Sequence, residues 1–162
     1  MHTKTNADLN SVTHQISVRC GHLFEPTHGE QFDHIIVDVS GMATSVARCS
    51  GWYPPSIMTG GEDGTDQTLQ VLSSAFAFLN GSGSTMIFPV LSLANSAKLL
   101  SMAQELFGTS LCELESRWFP FNEALMTNIE HLQELRAKGL INFARNRSRY
   151  LWQLQIFAVT KP

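Results

Sequence analysis

The segment from Phe32 to Gly41 constrains the fold of this 162-residue chain more than any other part of the sequence. It reads FDHIIVDVSG, a run of β-branched apolar residues that ends in an acid and small residues. Such a run is typical of a strand that is buried on both faces. Ligands of open α/β sheets bind at the carboxyl ends of strands. The sequence therefore predicts a buried strand over about 33–39 and a candidate site immediately after it, at Asp38.

Strand and helix patterns alternate along the rest of the chain. The spacing of apolar residues predicts helices over about 65–79, 95–107 and 122–138. Alternating or β-branched runs predict further strands over about 16–20, 85–90, 110–118 and 151–159. Residues 41–62 are rich in glycine and proline and predict a long loop. Alternating strands and helices indicate a single α/β domain over residues 1–162 with a mostly parallel sheet.

Composition limits the classes of function. Charged residues make up 15% of the chain, against roughly 25% in typical domains, which favours a surface partly covered by a partner or by a second copy. The net charge is −3, and the basic residues are scattered apart from Arg145, Arg147 and Arg149. This distribution is not the electrostatic footprint of a nucleic-acid-binding protein.

The cysteines and the hydropathy indicate a cytoplasmic protein. Cys20, Cys49 and Cys112 are widely spaced, and their odd number argues against a disulfide framework. No apolar run is long enough to span a bilayer, and no signal-peptide pattern opens the chain. Cys20 and His22 lie on one face of the predicted strand, but no other ligand pair accompanies them, so no metal site is predicted.

Five motifs occur in an order that resembles a known family. They are NADLN at 6–10, GHLFEP at 21–26, FDHIIVD at 32–38, GGEDGTD at 60–66 and LNGSG at 79–83. This order resembles the C-terminal part of class I S-adenosylmethionine-dependent methyltransferases, and most closely the branch that methylates amide or amino nitrogens of proteins and nucleic acids. The resemblance extends to about Gly108, and the GGEDG stretch is its most specific motif.

The resemblance implies a partial Rossmann-like methyltransferase sheet, mostly parallel with an antiparallel last strand, and with helices on both faces. The family's sheet has the strand order third, second, first, fourth, fifth, seventh, sixth. The first two strands, the Gly-rich cofactor loop and the acid that holds the ribose have no counterpart in this sequence. The expected domain is therefore a methyltransferase fold without its N-terminal strands.

The resemblance also implies which residues contact the cofactor, S-adenosylmethionine. Gly21, His22 and Leu23 match the segment near the adenine, where His22 replaces an acid. Asp38 matches the first residue of the catalytic Asn/Asp-Pro-Pro-Tyr motif, so it is the predicted catalytic residue and a cofactor contact. In the family this side chain and a backbone carbonyl accept hydrogen bonds from the target nitrogen, which positions its lone pair.

The acceptor side of the motif is altered. Val39, Ser40 and Gly41 replace the two prolines and the aromatic residue, so Ser40 and Gly41 are the predicted substrate contacts. Trp52 and Tyr53, in the following loop, are predicted to offer a stacking surface. The acceptor atom is a nitrogen or an oxygen, and a nucleic-acid acceptor stays open.

The missing strands leave the 33–39 strand as an apolar sheet edge, which is a template for association. Three arrangements are open: the 16–20 strand pairs with it, two copies pair edge to edge as a homodimer, or a separate polypeptide carrying the missing half docks there. Three functions correspond to them: a truncated methyltransferase, a non-catalytic scaffold or interaction domain, and one subunit of a split methyltransferase.

Overall fold

A computed structural model describes residues 2–161 of the protein. It divides into one unit that ends at Glu30 and a second that begins at Gln31. The first unit contains helix α1 (His2–Leu9) and two short 3-10 turns, Thr13–Gln15 and Glu25–Thr27. The second unit contains all five strands and the other helices of the described residues.

The second unit alternates strands and helices, which confirms the predicted α/β class. Its strands are β1 (His34–Ile36), β2 (Thr85–Leu91), β3 (Leu111–Pro120), β4 (Ala144–Asn146) and β5 (Arg149–Thr160). Its helices are α2 (Thr44–Cys49), α3 (Asp66–Phe78), α4 (Ser96–Phe107), α5 (Glu123–Thr127) and α6 (Ile129–Ala137), and a 3-10 turn covers Gly108–Ser110.

The strands form one open mixed sheet in the order β1-β2-β5-β3, and β4 pairs with β5 as a short hairpin. β1 and β2 are parallel. β5 runs antiparallel to β2, β3 and β4, so the last strand alone opposes the others. The predicted antiparallel last strand is found, and the sheet is mixed rather than mostly parallel in its pairing. Because β5 lies between β2 and β3, only β1 and β2 form a parallel pair.

Helices α3 and α4 are crossovers that form where the sequence predicts them. The side chain of Asn95 caps α4 by accepting a hydrogen bond from the Lys98 backbone N–H at 3.1 Å. The two helices meet through Phe76 and Phe107, whose ring centroids lie 4.9 Å apart. Right-handed crossovers that step across a sheet in the same direction place their helices on the same face. The crossovers β1–α3–β2 and β2–α4–β3 step in the same direction, so both helices cover the same face of the sheet.

The two faces of the sheet are buried very differently. Strand register places five buried apolar residues on one face, here called the packed face: Met86, Phe88, Val90, Phe157 and Val159. On the other face, here called the open face, no apolar residue is buried; its members include Ile36, Ile87, Pro89, Leu154, Ile156 and Ala158. We assign α3 and α4 to the packed face because their buried stripes need an apolar partner.

A second apolar cluster surrounds the short helices α2, α5 and α6. Leu91, Tyr150 and Trp152 pack against its edge. The cluster therefore covers only the end of the sheet near the carboxyl end of β2. Its buried members are Met42, Ala43, Val46, Ala47, Leu93, Phe121, Leu125, Leu132, Leu135, Ile141 and Phe143.

The predicted strand at 16–20 is wrong. The segment follows a 3-10 turn without joining the sheet, and Ile16 and Val18 are 42% and 44% exposed. Alternation of apolar residues specifies a strand only when one face is buried and a neighbouring strand accepts its hydrogen bonds. Residues 16–20 thus form no strand, and within residues 31–161 β1 pairs with β2 alone.

Three predicted elements in the second unit also differ from the structure. The strand predicted as buried over 33–39 is shortened to β1, in which His34 and Ile36 are exposed. The predicted loop at 41–62 contains helix α2, which forms because Val46 and Ala47 are buried. The predicted helix at 122–138 is broken between α5 and α6 at Asn128 (φ −102°, ψ 21°). The Asn128 side chain donates to the Ala124 carbonyl at 2.8 Å, which competes with regular helix geometry.

No helix within residues 2–161 has the length and apolar character needed to cross a membrane.

Candidate functional site

The chain turns away from the sheet directly after β1, at the predicted catalytic residue. The backbone N–H of Val37 still donates to the Ile87 carbonyl at 2.8 Å. Asp38, the next residue, is exposed, and its carboxylate has no hydrogen-bond partner among the residues that the structure describes. Ser40 is half-buried and Gly41 is buried. The carboxyl end of β1 therefore presents one free carboxylate to solvent.

The loop from Gly60 to Thr65 packs tightly against this turn. The Gly60 N–H donates to the Met42 carbonyl at 3.0 Å, and the Thr44 N–H donates to the Gly61 carbonyl at 2.8 Å. A Cβ atom on Gly60 would lie 2.8 Å from the Ser40 carbonyl oxygen. The glycine at position 60 is therefore required by close backbone contact with the turn that carries Asp38.

Gly64 is constrained even more strongly. Its φ is +80°, and an added Cβ would lie 2.6 Å from the Ala43 backbone nitrogen and 2.5 Å from the Ala94 Cβ. The loop is thus pressed between the segment after β1 and the segment after β2. This close approach explains why the sequence places three glycines between residues 60 and 64.

The acids of this loop fix the loop itself. The Asp63 carboxylate accepts hydrogen bonds from the Thr65 hydroxyl at 2.6 Å and from Lys98 Nζ at 2.7 Å. Burial alone would raise the pKa of Asp63, but the hydrogen bonds from Lys98 and Thr65 and the Lys98 charge together lower it. Asp63 is therefore an anchor between the loop and α4. Within residues 2–161, no group of His, Cys, Asp and Glu side chains is arranged to hold a metal ion.

A second loop, residues 51–58, lies beside the turn and carries exposed apolar side chains. The Ser40 hydroxyl donates to the Met58 carbonyl at 2.6 Å, which ties this loop to the turn after β1. The Arg48 guanidinium donates to the carbonyls of Pro54 (3.1 Å) and Ile57 (3.3 Å). Met58 is 61% exposed. The loop is therefore held by its backbone while its apolar side chains face solvent.

Trp52 forms the end of an aromatic row. Its ring lies 5.7 Å from that of Trp152, which stacks on Phe119 at 4.9 Å. Trp52 is 41% exposed and lines a surface cleft of about 480 Å³ together with Ser50 and Asn122. Tyr53 instead packs against the apolar cluster around α2. Of the two predicted stacking residues, only Trp52 offers much of its ring to solvent.

The predicted adenine contacts lie in the first unit. Gly21 and His22 are exposed and Leu23 is half-buried, in a bend in which the Glu25 N–H donates to the His22 carbonyl at 3.0 Å. Their role as cofactor contacts stays a prediction. Asp38, Ser40, Gly41 and the loops around them all belong to the second unit, so the site is built here from that unit.

Sequence reasoning missed Arg48, Thr44 and Met58 as parts of the site. Thr44 bonds both Gly61 and the Thr59 hydroxyl, and Arg48 and Met58 fix the 51–58 loop. None has a distinctive local pattern, because each acts on backbone that is distant in sequence. Burial raises the pKa of the Cys49 thiol near these residues, which makes it a poor nucleophile.

Comparison of the chain with protein-family models, with curated proteins and with solved structures finds no significant match.

Proposed function

We propose that the second unit is the C-terminal part of an S-adenosylmethionine-dependent methyltransferase-type domain, which transfers a methyl group to a nitrogen or an oxygen of an acceptor. Strand order is the observation that carries the proposal. The fourth to seventh strands of the resembled family stand in the order fourth, fifth, seventh, sixth, with the seventh reversed. β1, β2, β5 and β3 stand in this same order, with β5 reversed.

The position of Asp38 supports the proposal. Asp38 follows β1, which takes the place of the family's fourth strand, and the catalytic motif of the family begins after that strand. The carboxyl ends of parallel strands are where ligands bind in open α/β sheets. The glycine loop at 60–64 packs against the turn that carries Asp38. The Asp38 carboxylate is exposed to solvent. A rigid support of this kind is what catalysis by positioning requires.

The residues of the second unit fit the reactive end of the cofactor rather than its nucleoside. S-adenosylmethionine supplies an electrophilic methyl group on a sulfonium sulfur. The free carboxylate of Asp38 is complementary to this positive charge and to an N–H donor. Residues 31–161 offer neither a Gly-rich loop after a strand nor a ribose-binding acid, so this chain alone binds the cofactor weakly.

The chain's own residues have distinct roles toward the acceptor. The Asp38 carboxylate accepts a hydrogen bond from the acceptor N–H, which points the nitrogen lone pair at the methyl group. Ser40 and Gly41 shape the turn, and Ser40 ties it to the 51–58 loop. Trp52 provides a ring face on which a planar group of the acceptor stacks.

A titration followed by amide NMR tests the proposal. S-adenosylmethionine, which carries the sulfonium charge, is added up to millimolar concentration to the ¹⁵N-labelled chain, and the uncharged thioether S-adenosylhomocysteine is titrated for comparison. Shift changes are expected to cluster at residues 38–41 and 60–64 and to weaken in Asp38→Asn. Asp33→Asn is the matched control, because it makes the same change of charge just before the other end of β1. The absence of shift changes at millimolar ligand would exclude cofactor binding by this chain.

A non-catalytic interaction domain is the second candidate. It is favoured by Ile36, which is 78% exposed on an edge strand, a position typical of a surface that a partner covers. This function predicts no response to the cofactor and no effect of Asp38→Asn on partner binding. The same titration therefore separates the two candidates.

A further inference from the structure

The open face is a contiguous apolar surface on an otherwise layered fold. Register places Ile36, Ile87 and Ala158 in one row across three strands. Pro89 and Ile156 form the next row. Parallel strands of α/β proteins are normally covered on both faces. The open face therefore has the composition of an internal surface.

The free edge of β1 adjoins this face. The Asp33 carbonyl and the Val37 N–H bond β2, and backbone groups of a strand alternate in direction. The N–H and C=O groups of His34 and Ile36 therefore point away from β2, where no strand of residues 31–161 pairs. Ile36 belongs to both surfaces, since its backbone lies on the edge and its side chain on the open face.

The handedness of crossovers connects the two surfaces. The β1–α3–β2 crossover advances from β1 to β2 with α3 on the packed face. A strand–helix–strand unit that starts at the free edge and advances the other way places its helix on the opposite face, because such units are right-handed. One added unit would thus satisfy the edge with its strand and place its helix on the side of the open face.

A second copy of the chain fits less well. Three strands spaced by about 4.8 Å, with at most five residues each at about 3.3 Å, give a footprint of no more than roughly 250 Å². A stable interface needs about 800 Å² from each partner. Two stacked open faces fall well below this area and leave both β1 edges unpaired, whereas two copies paired edge to edge at β1 leave both open faces uncovered.

We propose that a polypeptide from outside these 162 residues docks on the second unit, adding a parallel strand to the β1 edge and laying an apolar helix on the open face. The crossovers on the two sides of β1 would then run in opposite directions across the sheet. The carboxyl end of β1, next to Asp38, would therefore be a topological switch point, where ligands of open α/β sheets bind. The inference deepens the proposed function by naming the partner that completes its site, but it does not depend on methyl transfer.

Site-specific photo-cross-linking tests the docking. The photo-reactive residue p-benzoylphenylalanine replaces Ile87 on the open face or His34 at the edge, and the full chain is expressed and irradiated in the cells from which its gene comes. Cross-linked peptides are identified by mass spectrometry. Glu130, exposed on α6, is the control position that measures background.

The expected result is one polypeptide cross-linked from both positions, through an apolar helical segment at position 87 and a β-branched segment at position 34. Ile36→Asp should lower both yields by about tenfold or more, because it places an unpaired charge in the centre of the interface. Ile36 is 78% exposed, so this variant keeps the fold, which circular dichroism checks.

Four results would overturn the proposal: yields no higher than at position 130, products that contain only two copies of this chain, cross-links that join position 34 or 87 to residues 1–30 of the same chain, or yields that Ile36→Asp leaves unchanged. None of them depends on cofactor, so failure here is distinguishable from failure of the NMR titration.

Discussion

The packed face and the open face of the sheet belong to the same strands, yet only one of them is a protein core. Phe88 is completely buried, whereas its neighbour Ile87 keeps part of its surface in solvent. Successive strand residues point to opposite faces, so this difference arises between adjacent positions of one strand. The comparison shows that apolar composition does not create a core unless another layer covers it.

The largest effect is expected from Phe88→Ala. Removing this ring from the packed face leaves a cavity and should lower the free energy of unfolding by about 3–5 kcal/mol. Ile87→Ala, the matched change on the open face, should cost at most about 2 kcal/mol. Urea denaturation of both variants measures the difference, and equal losses would show that the open face is packed after all.

Gly64→Ala extends the comparison to the loops. The new Cβ would meet backbone at a φ of +80°, so we expect a loss of about 2–5 kcal/mol from strain and overpacking. Gly83 has a similar φ of +86° but no atom within 4 Å of an added Cβ, and Gly83→Ala should cost only about 1–2 kcal/mol. A loss no larger for Gly64→Ala would contradict the tight packing of the glycine loop. Thermal unfolding of the two variants provides the measurement.

Trp52→Ala tests the aromatic row that covers one end of the sheet. Losing the contact with Trp152 should cost about 1–2 kcal/mol and reduce the near-ultraviolet circular dichroism of the coupled rings. Trp118→Ala is the control, because Trp118 is 50% exposed and no ring contact to it is found within the described chain. If both variants keep the wild-type spectrum, the row is not formed in solution.

The smallest effect is expected for the ion pair between Asp63 and Lys98. The pKa of Asp63 is lowered in the folded protein from its ordinary value of 3.8, so the contribution is complete above that value. It is lost as the pH falls through the lower folded pKa. The Lys98 side chain is 48% exposed, and this solvent screening limits the effect to under about 1 kcal/mol. Urea unfolding from neutral pH down to about pH 2 should show a shallower loss in Asp63→Asn.

Local patterns predicted the elements that depend on few distant contacts. α3 and α4 lie within one or two residues of the predicted helices, because their apolar stripes and end signals are written in consecutive residues. The strand at 85–90 was predicted for the same reason. The 16–20 segment has an equally good alternation, but a strand also needs a neighbour, and this requirement is not local.

The candidate site was predicted in part. The acid and small residues after β1 indicated Asp38, and the glycines at 60–64 indicated an unusual loop. The contact between them could not be predicted, because it depends on backbone atoms some twenty positions apart in the sequence. The anchoring of the 51–58 loop by Arg48 is of the same kind, since its acceptors are carbonyl groups that any residue carries.

The sequence by itself determined the α/β class, the crossover helices and the acid at the end of β1, because periodicity and turn chemistry are properties of neighbouring residues. Only the tertiary structure decided that a second apolar cluster packs at one end of the sheet and that the rest of one face stays open. Both follow from which layers meet across the sheet, and the free energy of that packing depends on residues far apart in the chain.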